Sequence, residues 1–213
     1  MDIHPPQGPV SSMKEFGVHI AIVTIGILIA LTLEGLIETV QNAHLVHETR
    51  QNFQSELTFD TSQVRPELAR DRAIHAGLDQ LVADLPTLFK THPEQIRERL
   101  SHLRTSGYFF PAQAWQSALS TGSLAHMPPD EVQRYSGTYY MLHTYSDLEI
   151  EGYKADTSAQ AFFISHSPLK PADYSEGAER IVLYDEAAAG LQQVCEQMQW
   201  EISKVLPPEK KPK

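Results

Sequence analysis

The chain predicts an all-α fold: a single N-terminal transmembrane helix continuing into an antiparallel helical bundle. Three observations carry that prediction. From Phe16 to Leu33 the sequence reads FGVHIAIVTIGILIALTL, with no charged residue other than His19. Downstream, apolar residues recur at alternating three- and four-residue steps, the period of a helix face packed on a neighbour. Strand-like sequence is confined to GYFF at Gly107–Phe110.

The apolar run comes first. A helix rises ~1.5 Å per residue and the hydrocarbon core is ~30 Å thick, so about 20 apolar residues are needed to cross it. Residues 14–37 meet that length as an anchor helix. A buried core helix of this length would keep a polar face, and a cleavable signal would have a shorter apolar run ending in small residues. Leu31 to Glu38 offers no such cleavage pattern, which points to an uncleaved signal anchor. Lys14 precedes the run, whereas the first basic residue after it is Arg50, beyond Glu34, Glu38 and Glu48. That asymmetry predicts the N-terminus inside and the C-terminal domain outside. In a bacterium with two membranes, this means an inner-membrane protein with a periplasmic domain. Glu34 lies ~27 Å along the axis from Phe16, at the far headgroup boundary. Gly26 and Ala30 form a small-xxx-small pair, a candidate helix–helix contact for a homo-oligomer.

The remaining elements follow in order. Residues 1–13, which include MDIHPPQGPV, and the tail 207–213 are proline-rich and expected to be disordered. The anchor helix is prolonged through Val46, Phe53 and Leu57 until Pro66, which kinks it or starts a new helix. Ile74, Leu78, Leu81, Leu85 and Leu88 then share one face, with Pro86 near its end. Thr91 and Glu94 have capping-box spacing before a short charged helix that runs to Leu103. Trp115, Ala118 and Leu119 mark another short helix, stopped at Thr121-Gly122. A long helix starts at Pro128, with Asp130 and Glu131 in its first turn. Its seam is polar and tyrosine-rich: Val132, Tyr135, Tyr139, Leu142, Ser146, Glu149, Tyr153. A turn at Ser167–Ala172 leads to the last helix, Asp173–Leu206, with the seam Ile181, Tyr184, Ala188, Leu191, Cys195, Met198, Ile202, Val205. Residues 38–206 therefore make the bundle domain.

Charge and missing motifs narrow the function. Seventeen basic residues against twenty-seven acidic ones give a net charge of −10, which excludes a general nucleic-acid binder. The one cysteine allows neither an internal disulfide nor a thiolate-rich zinc site. There is no phosphate-binding glycine loop, no G-x-S-x-G and no H-E-x-x-H, and no Glu is followed by His three positions later. No catalytic set emerges, an enzyme is disfavoured and no cofactor is expected. Four groupings remain. His44, His47 and Glu48 share a helical face and are the candidate metal ligands. His75 with Asp79, and His143 with Asp147, are i,i+4 pairs. Tyr108, Phe109, Phe110 and Trp115 form a candidate partner or ligand surface. Ten histidines set against a charge of −10 suggest a response to acid. Cys195, on the last seam, reads as a buried, inert thiol.

Two stretches carry a resemblance: TIGILIALTLE at Thr24–Glu34 and WQSALSTGSLAHMPPDEVQRY at Trp115–Tyr135. In both, the chain resembles a family of bacterial single-pass membrane proteins of unknown function. These have a T-I-G-x-L-I-A-L anchor and a helical domain with a W-x-x-A-x-x-T-G element. The resemblance implies bacterial origin and shared architecture, and it brings no activity or catalytic residue. The functional expectation is a membrane-tethered interaction or sensing module. Its partners are membrane lipid and either a second copy or a membrane complex to which it is an accessory subunit. The alternative is a metal-binding protein or enzyme built on His44, His47 and Glu48.

Overall fold

A computed structural model describes residues 13–105 and 107–206, and every regular element among them is helical. The expected disorder of the two ends falls on 1–12 and 207–213, outside the described residues; Met13 is already helical. Five α-helices follow in order: α1 Met13–Thr91, α2 Pro93–Ser101, α3 Gln113–Thr121, α4 Pro129–Ser165 and α5 Tyr174–Val205. Short 3-10 turns lie at Ser123–His126 and Pro171–Asp173. The chain divides into two units, Met1–Glu48 and Thr49–Lys213.

Among the described residues, the first unit is the N-terminal part of α1. Along its apolar stretch the side chains are exposed: Ile22, Leu28 and Leu36 are each more than half exposed, and none of the most apolar stretch is buried. It supplies the one helix among the described residues that is long and apolar enough to cross a membrane.

The second unit is a four-element bundle with alternating directions. α1 and α4 run parallel, as Phe53 against Tyr135 and Phe89 against Phe163 show. α5 runs against both, with Tyr174 beside Phe89 and Cys195 donating its S–H to the Val64 carbonyl. α2, α3 and the described residues between them fill the fourth place. They run against α1, from the Arg99–Asp84 ion pair down to Trp115 stacked on Phe53.

The seam expected for α5 is buried from Ile181 to Ile202. Three other expectations need correcting. α1 does not stop or restart at Pro66, and both Pro66 and Pro86 lie inside it. An interior proline costs ~3 kcal/mol, but Leu57, Val64, Leu68, Ile74 and Leu78 bury one continuous face on both sides of Pro66, and that packing holds the helix together. Thr91 does not cap α2: its hydroxyl donates back to the Thr87 carbonyl at 2.9 Å, and the residue preceding α2 is His92. On α4, Tyr153 is exposed, and the buried face passes instead through Gly152 and Asp156 to Ala159 and Phe163. Gly152 is chosen by contact, since a Cβ there would lie 3.0 Å from Leu191 Cδ1. The strand-like GYFF forms no strand, in keeping with the all-α fold. Gly107 has φ +67°, a left-handed conformation that breaks extended backbone and favours glycine.

Candidate functional site

Irregular backbone packed among helices creates a specific demand, because each buried N–H and C=O needs a partner that no helical ladder supplies. The connection between α2 and α3 is such a stretch, and side chains of the surrounding helices meet the demand along it and at the two helix ends it joins. Glu149 on α4 accepts the Gly107 N–H at 2.5 Å. Glu56 on α1 accepts the Ala114 N–H at 3.0 Å, where the connection enters α3. The Tyr184 hydroxyl donates to the Leu103 carbonyl at 2.6 Å, and Gln160 Nε2 donates to the Leu100 carbonyl at 2.7 Å. Arg104 reaches Asp156 at 2.9 Å. Glu149 and Tyr145 of α4 thus face the connection, Glu149 through the Gly107 amide and Tyr145 through the Phe110 ring.

These and neighbouring groups form a line of buried acids. Asp60, Glu67, Asp71, Glu149 and Asp156 are each almost wholly enclosed. Burial pushes the Asp60 carboxyl up to about 7, and the neighbouring Glu56 charge adds to the shift. Asp71 is also pushed up to about 7, first by burial; the Tyr145 hydroxyl, which donates to Asp71 Oδ2 at 3.1 Å, opposes the rise, and Glu149 and Glu67 add to it. Burial likewise raises the hydroxyls of Tyr139 and Tyr145. The Cys195 thiol, enclosed on α5, is pushed up to about 12, far from the thiolate that nucleophilic chemistry requires. Chemically, the arrangement can hold and release protons and pin backbone.

The residues singled out from sequence are distributed as follows. His44 pairs with Glu48 at 3.1 Å on the open face of α1. Among the described residues, no three His, Cys, Asp or Glu side chains are grouped to hold a metal ion, so His44, His47 and Glu48 are not assembled as ligands. His143 does pair with Asp147, at 2.9 Å on the surface. His75 bonds not to Asp79 but across to Asp185 on α5, at 2.8 Å. Of the aromatic group, Phe110 is buried edge-on against Tyr145, Tyr108 lies against Phe110, and Trp115 stacks on Phe53 and Tyr139. Phe109 alone of the four is half exposed. Gly26 and Ala30 lie on the exposed part of α1, and a Cβ at Gly26 would meet nothing.

Sequence reasoning placed Glu149 on a seam but missed Glu56, Asp60, Glu67, Asp71 and Asp156. The signal was available. Glu56, Asp60, Glu67 and Asp71 follow steps of four, seven and four, on the helical face of Leu57, Val64 and Leu68. Comparison with family models, characterised proteins and solved structures gives no match.

Proposed function

We propose that this is a single-pass protein of a bacterial inner membrane whose helical bundle acts as an interaction or sensing module. The bundle is tethered on the periplasmic side. It works with a second copy of itself or as an accessory subunit of a membrane complex. One observation carries the reading: the apolar stretch beginning at Phe16 has none of its residues buried within the fold. Apolar surface left in water forgoes about 25 cal/mol per Å², and lipid is the environment that removes this cost along a whole helix. A core helix of a soluble protein would hide the same side chains inside.

The orientation rests on Lys14 before the span and Glu34, Glu38 and Glu48 after it. A module rather than an enzyme is favoured because Glu149 and Glu56 are engaged with the Gly107 and Ala114 backbone amides, and the thiol is enclosed. Gly26 and Ala30 offer a second copy a close approach.

Alkaline carbonate washing of membranes carrying the full chain tests the anchor. The protein should stay in the pellet and leave it only with detergent. Alkaline phosphatase fused to the C-terminus should be active, and an inactive fusion with a fluorescent cytoplasmic reporter at the same place would reverse the orientation. Release by carbonate alone would end the membrane reading.

A further inference from the structure

Asp60 is fully enclosed, and neither of its carboxylate oxygens has a hydrogen-bond partner among the described residues. It faces Glu56 on its own helix, Tyr108 from the connection and Tyr139 from α4. About three turns further along the same face, Asp71 is surrounded by Glu67 and Arg70 on α1, Tyr145 and Glu149 on α4, and Cys195 on α5. Among the described residues no Lys or Arg forms an ion pair with either aspartate. An ionised carboxylate so enclosed and without a counter-ion is costly enough that the group takes up a proton instead.

We propose that this acidic seam is a proton-binding latch: Asp60 and Asp71 each hold a proton while residues 107–114 lie against α1 and α4, and shedding those protons loosens that stretch. The link is local. Glu56, beside Asp60, holds the Ala114 N–H, and Glu149, beside Asp71, holds the Gly107 N–H. A new negative charge next to each strains the two groups that pin the connection, which has no helical ladder of its own to fall back on. Both aspartates are pushed up to about 7, which sets the release near neutral pH. Such a latch gives a sensing role a physical input, proton activity, read by carboxyl groups rather than by the surface histidines. The proposal concerns the bundle alone, so its failure leaves the membrane reading untouched.

The test uses the full chain in a neutral detergent. Infrared spectra recorded between about pH 5.5 and 8.5 should show a protonated-carboxyl band that disappears near pH 7. The band should be weaker in Asp60→Asn and weaker again in Asp60→Asn/Asp71→Asn. Over the same range, the Gly107 and Ala114 amides should lose about tenfold protection relative to the Leu191 amide in the α5 core, and the double variant should lose about threefold or less. Absence of the band in the wild type overturns the proposal. So does an equal loss of protection in the double variant, or protection that follows added calcium or magnesium rather than pH. Should the double variant fail to fold, the wild-type band decides alone.

Discussion

The Gly107 N–H donates to Glu149 Oε1 at 2.5 Å, so a backbone group in a left-handed turn of the connection is held by a carboxylate buried on α4. Removing the acceptor strands the amide in a partly buried place. Glu149→Ala should lower unfolding stability by about 2 kcal/mol, and Glu149→Gln, which keeps an acceptor oxygen at similar reach, by about half of that. Denaturant midpoints of the two variants check the order. Equal losses would mean that volume, not the hydrogen bond, holds the connection.

That carboxylate also shows where sequence reading succeeded and where it stopped. α5 was legible because Ile181, Tyr184, Ala188, Leu191, Cys195, Met198 and Ile202 are all small or apolar and all buried, so periodicity and burial agree. On α1 and α4, buried faces are interrupted by acids, and an Asp or Glu in a seam looks in sequence like solvent-facing helix. What gives Glu149 and Asp156 an interior role is the connection between α2 and α3 opposite them, where the Gly107 N–H and the Arg104 side chain engage them, a tertiary fact that no local pattern encodes. Pro66 misled for the same reason, since its local penalty was visible and the packing that outweighs it was not. The i,i+4 spacing of His75 and Asp79 suggested a pair, yet the packing of α5 brings Asp185 closer.

The raised carboxyls fix the sign of the pH dependence. Asp60 and Asp71 stand at about 7 in the folded chain against an ordinary 3.8. Between these values the folded state binds more protons than the unfolded one, so stability falls as pH rises. The stabilisation is fully present below about pH 4 and gone above about pH 8, and the two groups together contribute several kcal/mol across that range. Urea unfolding at about pH 5 and pH 8 measures it, with the lower midpoint expected at pH 8. A flat or rising profile would contradict the burial of both groups.

Arg50 makes a two-pronged contact with Glu131 in the first turn of α4, Nε to Oε1 at 2.7 Å and a terminal nitrogen to Oε2 at 2.6 Å. The contact ties α1 to the start of α4, and the Glu131 side chain is only 16% exposed, so it is less screened than a surface pair. Arg50→Ala should cost about 1 kcal/mol. Arg50→Lys should recover little, because a single ammonium does not reproduce the guanidinium fork. A double-mutant cycle with Glu131→Gln isolates the coupling, which should shrink in high salt.

Phe53 is the centre of an aromatic group at the other end of the connection, with ring centroids 4.4 Å from Tyr135, 5.4 Å from Tyr139 and 5.9 Å from Trp115. It is completely buried. Phe53→Ala should therefore cost about 3–5 kcal/mol and shift the fluorescence of the neighbouring Trp115 to the red as water enters. Trp200, more than half exposed under Lys204, contributes a constant background. An unchanged spectrum with full stability would show that Trp115 does not rest on Phe53.

Cys195 lies on the α5 seam with no exposure, its S–H directed at the Val64 carbonyl at 3.7 Å, and burial pushes its thiol up to about 12. Both barriers act together: an alkylating reagent needs access, and it needs the thiolate, of which roughly one part in 10⁴ is present four units below the pKa. Iodoacetamide at about pH 8 should leave the folded protein unmodified over hours and label it fully in denaturant, with intact mass as the readout. Rapid labelling of the folded chain would mean that α5 separates from α1 near Val64 in solution. The same experiment at rising pH then follows loosening around Asp71, the charged neighbour that adds most to burial in raising the thiol.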